Sequence, residues 1–179
     1  KESGDKLYFS HERIREVVYA GLSPQHRAML HGHVANSLLA VHAASLPEVH
    51  GSLALHFTRA GDRRSAVTYL AAFADQAAAS FGIDEALAAL AQATELAQEL
   101  AARERAPWLL ELSLRRAKCL FHLGRFAEIA PCLAPHLPLL DALARPELKA
   151  QVHFWIGCAS GLMGDTLAAK SDGERALEE

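Results

Sequence analysis

The chain has 179 residues, with 18 Lys and Arg against 21 Asp and Glu, for a formal net charge of −3. A hydrophobic content of 51% excludes a solvated, disordered chain, and the negative balance argues against a general nucleic-acid binder. Alanine supplies 35 residues; it is the best helix former and poor in strands, so a helical protein is expected. Cys119, Cys132 and Cys158 are too few and too loosely spaced for a disulfide framework, and they read as small apolar residues on helix faces. No apolar run reaches the roughly 18 residues that span a bilayer. The chain starts at Lys1 with no signal-peptide pattern, so the expectation is a cytoplasmic segment of a longer protein.

In chain order, Leu7-Tyr8-Phe9 is a short β-prone run. Ser10 is a candidate N-cap for a helix carrying Ile14, Val17, Val18 and Leu22. Ser23-Pro24 restarts the chain with a cap and a proline at the first helical position, and the apolar spacing carries that helix to about His42. Pro47 opens a helix that Gly61-Asp62 stops. Further helices are expected over about 63–81 and 83–101, with Gly82 between them. Pro107 is expected to start a helix that ends at Gly124. The segment 125–144 holds Pro131, Pro135 and Pro138, so a kink or split is expected near Pro131 or Pro135. Pro146 opens a helix to Gly164-Asp165, and a last one follows.

Gly82, Gly124 and Gly164 are 42 and 40 residues apart, each between two helical segments. A fixed period of this size is the mark of a helical solenoid, in which one helix pair cannot bury its apolar face alone and neighbours stack. Gly157, Leu162, Gly164, Asp165, Ala169, Ala176 and Leu177 fall at the spacing of small and turn residues in tetratricopeptide repeats, which the last repeat resembles. The Gly124-Arg125-Phe126 and Gly61-Asp62 turns are similar. Gly82 stands one residue too close to Ala86 for that pattern. Phe9-Ser10-His11-Glu12, Arg15 to Tyr19, Leu22, Arg27, Leu30-His31, Leu53 to Phe57, Ala60-Gly61-Asp62, Ala66 and Tyr69 look like a junction in large bacterial AAA/STAND-type signalling ATPases. There a winged-helix-like unit ends the ATPase module and a long-repeat array follows, with cyclase, kinase or LuxR-type modules often attached. The resemblance implies a regulatory, partner-sensing segment.

The sequence carries no P-loop and no Gly-x-Ser-x-Gly elbow, so no cofactor is expected in this segment; ATP would belong to an upstream module. His11-Glu12 begins a zincin-like pattern, but Arg15 stands where the second His is needed. Six of the ten histidines lie between His26 and His56, none three or four apart, so metal binding is not expected and surface or capping roles are the default. Their interest is that histidine titrates near neutral pH. Arg13, Arg15 and Arg27 raise DNA binding, but Glu12 and Glu16 oppose it. Trp108 and Trp155 read as core residues.

The expected fold is all-α: a right-handed α-α superhelix of antiparallel pairs, about 24–60, 63–101, 107–144 and 147–179, after a winged-helix-like remnant at 1–22. The expected function is a non-catalytic scaffold binding a protein partner or a neighbouring domain of the same chain. A DNA- or small-ligand-binding regulator fragment and an enzyme domain on an α-solenoid are the rivals. The first helix of each pair is expected to line a groove, with Tyr69 and Gln76, then Glu111, Lys118 and His122, then Gln151 and Phe154 as candidate residues. Lys118 and His122, one helical turn apart, would meet an acidic group. No membrane partner is expected. Leu167, Ala168 and Leu177 at the carboxyl end offer a face for self-association.

Overall fold

The computed structural model describes residues 2–3, 6–7, 12–138, 140 and 145–177. Among the described residues the structure is helices and turns apart from a minimal antiparallel ladder, Glu2–Ser3 with Lys6–Leu7, in which Glu2 lies opposite Leu7. Tyr8, Phe9 and the expected cap Ser10 lie outside the described residues. The α-helices are α1 (Glu12–Ala20), α2 (Pro24–Val41), α3 (His50–Ala60), α4 (Arg63–Ala79), α5 (Ile83–Gln98), α6 (Ala102–His122), α7 (Ile129–Leu133), α8 (Pro146–Leu162) and α9 (Thr166–Leu177).

Local chemistry sets these boundaries. Ser23 Oγ accepts the His26 N–H at 3.2 Å, with Pro24 opening α2. Asp62 accepts from the Ser65 N–H at 3.1 Å and starts α4, and Asp165 does the same for Ala168 at 3.0 Å before α9. Four helices end in one turn form, a left-handed residue whose neighbour's N–H reaches back five residues. After α3, Gly61 (φ 78) is followed by Asp62 N–H to Phe57 O at 3.1 Å. After α6 and α8, Gly124 (φ 70) and Gly164 (φ 89) are followed by bonds of 2.9 Å from Arg125 to Leu120 O and from Asp165 to Ser160 O.

The turn after α4 corrects the sequence expectation. Its left-handed residue is Phe81 (φ 64), and Gly82 is the neighbour, donating to Ala77 O at 2.8 Å. Helix α4 exhausts its hydrogen-bond ladder one residue before the glycine arrives. With Phe81 as the turn residue, Ala86 falls five residues later, as Ala66 does after Gly61, and both alanines are fully buried. A side chain in this region costs about 1–2 kcal/mol.

Two more boundaries differ from expectation. Helix α6 begins at Ala102, not Pro107, which sits within its second turn. The Glu104 and Arg105 N–H groups both bond Ala101 O at 2.9 Å, and the Arg105 guanidinium bonds Leu100 O at 3.0 Å, so the start is anchored upstream of the proline. The segment after Gly124 is not one helix. A 3-10 turn, Phe126–Glu128, leads into the five-residue α7, and a second 3-10 turn, Ala134–His136, contains Pro135.

Helices pack against their chain neighbours: α2 on α3, α3 on α4, α4 on α5, α5 on α6, α6 on α7, α7 on α8 and α8 on α9. Contacts also skip one element, α4 to α6 and α6 to α8. The interior is a row of three clusters. Ala35, Leu53, Phe57 and Ala66 make the first. The second is mostly alanine: Ala71, Ala74, Ala86, Ala89, Ala93 and Ala97, with Leu90 and Leu112. Leu110, Leu120, Ile129, Leu133 and Val152 make the third. Trp108 packs on the second cluster and Trp155 on the third, both as core residues. At Gly157 an added Cβ would stand 3.2 Å from Asp172 Cβ, so glycine sets the close approach of α8 and α9. His153 Nδ1 and Asp172 Oδ1, 3.0 Å apart, tie the same two helices.

Candidate binding groove

The skipped contacts bring α4, α6 and α8 side by side, and a groove runs across them. Arg115 Nε on α6 donates to both carboxylate oxygens of Asp75 on α4, at 3.0 and 3.1 Å. One turn earlier, Glu111 lies 3.6 Å from Arg115 Nη1 and accepts a 3.0 Å bond from Arg145 Nη1, just before α8. Arg145 Nε in turn donates to Glu147 at 2.7 Å. The bonds to Glu147 and Glu111 hold the Arg145 guanidinium above its ordinary pKa. Exposed pairs like these contribute little to stability, so the network orients side chains more than it stabilises the fold.

The groove has two lobes. A polar lobe of about 350 Å³ is lined by Asp75, Glu111, Arg115, Lys118, Arg145 and Gln151, with Leu114 and Leu148. An apolar lobe of about 220 Å³ is lined by Ala74, Ala78, Ala79, Leu90 and Cys119, and shares Asp75, Arg115 and Lys118 with the first. His122 stands at its edge. Burial, and then Asp75, raise the Cys119 thiol, so it stays protonated and behaves as an apolar surface. Arg115 and Arg145 are matched by Asp75, Glu111 and Glu147. Lys118, exposed at the meeting of the lobes, has no acidic partner among the described residues.

Of the residues expected to line a groove, Glu111, Lys118, His122 and Gln151 converge here. Tyr69 does not. It stacks on Phe57 at 5.5 Å and packs between the first two core clusters, because its face of α4 meets α3. Gln76 is exposed beside Asp75 but does not line either lobe, and Phe154, 52% exposed, stands edge-on to Trp155 outside them. Asp75, Arg115 and Arg145 were missed. The signal was present for Asp75, which is one residue from Gln76, within the uncertainty of counting back from a glycine. Nothing local marks Arg145, which stands just before the first residue of α8.

A second polar constellation joins the first helices. Tyr19 Oη on α1 lies 2.9 Å from His31 Nε2 on α2, and His31 Nδ1 lies 2.8 Å from His56 Nδ1 on α3. Arg27 lies over the Tyr19 ring, 5.2 Å from its centre. His31 is buried, which corrects the expectation of surface histidines, as does the burial of His153. Burial, then the nearby Arg59, lowers His31; burial, then His31 and Arg59, lowers His56. Elsewhere Ser113 Oγ lies 2.8 Å from His136 Nε2, but no carboxylate is bonded to that ring among the described residues, so it is no triad. Among the described residues no three His, Cys, Asp or Glu side chains converge as a metal site, and no helix is long and apolar enough to cross a membrane.

No protein-family model matches the chain, and neither a curated protein nor a solved structure matches it.

Proposed function

We propose that this chain is a non-catalytic interaction scaffold, a tetratricopeptide-like right-handed solenoid whose α4/α6/α8 groove binds a protein segment. The observation that carries the reading is the groove itself. Three helices that are not consecutive in the chain align their polar faces. Their fixed ion pairs hold Asp75, Glu111, Arg115 and Arg145 in place. Lys118 is left as an unmatched cation beside an apolar lobe. Such a surface recognises by many moderate contacts on a rigid frame, not by one reactive group. The four like-built turns, with a buried residue five positions after each of the first three, support a repeating unit. The resemblance of residues 7–100 to the junction of signalling ATPases supports the wider proposal: a cytoplasmic, partner-sensing segment of a larger signalling protein, with any ATP site upstream.

The test is quantitative partner capture by the chain and by Lys118→Glu/His122→Ala. Both residues are exposed, so the double variant should keep its helical circular dichroism. The expected result is loss of at least one partner held by the original chain, with binding that also weakens as salt rises. A double variant that retains every partner overturns the groove.

A further inference from the structure

Phe81 is the anomaly among the turns. Gly61, Gly124 and Gly164 take the left-handed position in three of them, where no Cβ opposes it. In the fourth a phenylalanine does, at φ 64, with a glycine one place later. The ring gains no packing in return, for Phe81 is 91% exposed. A bulky residue held in a disfavoured conformation without a contact of its own points to a use outside the fold.

Its place in the chain says where. Phe81 comes two residues after Ala79, the last α4 residue lining the apolar lobe. On the α6 side, His122 at the lobe's edge is followed by Leu123, itself 40% exposed. Both helices end at this edge, so Phe81 and Leu123 follow the lobe's last lining residues, Ala79 and His122, by two positions and by one. Lys118 supplies an unmatched positive charge in the same lobe.

We infer that Phe81 is an anchoring residue of the groove, and that the occupant is an extended peptide segment pairing an aliphatic side chain with a neighbouring carboxylate. The inference rests on the groove reading above. The aliphatic group enters the alanine-lined lobe under the Phe81 ring, and the carboxylate meets Lys118. Charge complementarity selects an acidic segment, because Asp75 and Glu111 beside Lys118 are already paired with Arg115 and Arg145, which leaves Lys118 as the cation to be met. Aromatic side chains, Phe among them, are enriched in protein interfaces, and a segment bound across Phe81 would bury a ring that the fold leaves exposed.

The experiment uses the full chain and fluorescein-labelled decapeptides read by anisotropy: alternating Asp-Leu, Asn-Leu, Asp-Ser and Lys-Leu. The original chain should bind the Asp-Leu probe at least about tenfold tighter than the other three. Phe81→Gly should weaken that binding about tenfold while its melting temperature stays the same or rises, which separates an anchor from a structural residue. Lys118→Glu should weaken it comparably. If Phe81→Gly binds like the original chain while Lys118→Glu does not, the anchor is overturned and the groove stands. If the original chain binds no probe, or binds Lys-Leu as well as Asp-Leu, the proposed occupant is overturned. The groove reading is then judged by the partner capture alone.

Discussion

The α4–α5 interface and the α1–α2 region are built on opposite plans. Between α4 and α5, small side chains meet: Ala71, Ala74, Ala86, Ala89, Ala93 and Ala97 are all buried, and the helices approach closely on a dense interface. Helices α1 and α2 do the reverse. Only His31 and Ala35 are buried in the 18 residues of α2, while Val34 and Val41 are 41% and 77% exposed, and Val17 on α1 is 72% exposed. The polar Tyr19–His31–His56 chain runs across α1, α2 and α3, beside the small apolar cluster of Ala35, Leu53 and Phe57 that also joins α2 to α3. The comparison separates two kinds of cohesion. Alanine interfaces gain from shape and tolerate no change of volume. The polar junction gains from direction and depends on protonation.

The largest test of that contrast is truncation in the buried interior and on α1. Leu120 is 1% exposed within the third cluster, and Leu120→Ala should destabilise by about 2–5 kcal/mol, read by denaturant unfolding. Val17→Ser on α1 should change stability by no more than about 0.5 kcal/mol. Comparable losses at both positions would mean that α1 is as firmly packed as α6. Between these extremes lies overpacking: Ala93→Leu, at a site with no exposure, should cost about 1–3 kcal/mol.

The all-helical character and most helix boundaries were legible from alanine content, capping residues and glycine punctuation. Ser23-Pro24 and Gly61-Asp62 act where the residues say they should, because capping is local chemistry. What failed was decided by distant packing. Gly82 looked like the turn residue, yet burial of Ala86 in the α4–α5 interface fixes the register one place earlier, on Phe81. Pro107 looked like a helix start, yet Leu100 and Ala101 anchor the helix ahead of it. Tyr69 was drawn into the core by Phe57, and Arg145 enters the groove from the position just before α8, outside any helical periodicity. The register claim has its own test. Gly124→Val should lower stability by about 1 kcal/mol or more. Phe81→Gly should raise it, by about 1 kcal/mol or less. A destabilised Phe81→Gly would show that the ring packs in solution.

The smallest expected effect is the pH response of the polar junction. Tyr19, His31 and His56 form one chain, with Arg27 over the tyrosine ring and Arg59 acting on both imidazoles. With both histidines neutral, the short Nδ1–Nδ1 contact holds a single proton, donated by one ring and accepted by the other. Two imidazolium rings would set two N–H groups against each other. Burial, as the largest cause, already holds both groups below the usual histidine value in the fold. The unfolded chain therefore binds more protons than the folded one between those lowered values and about 6.5, and stability rises with pH across that window. The contribution is complete above the ordinary histidine range, shrinks as the pH falls through it, and levels off below the folded values. His136, also lowered by burial, adds a slope of the same sign away from this junction. Melting temperatures measured from pH 7.5 to 5 should therefore fall for the original chain and fall less for His31→Gln/His56→Gln, leaving the share due to His136. An unchanged slope in the double variant would place the pH dependence outside the junction and leave α1 to α3 held by packing alone.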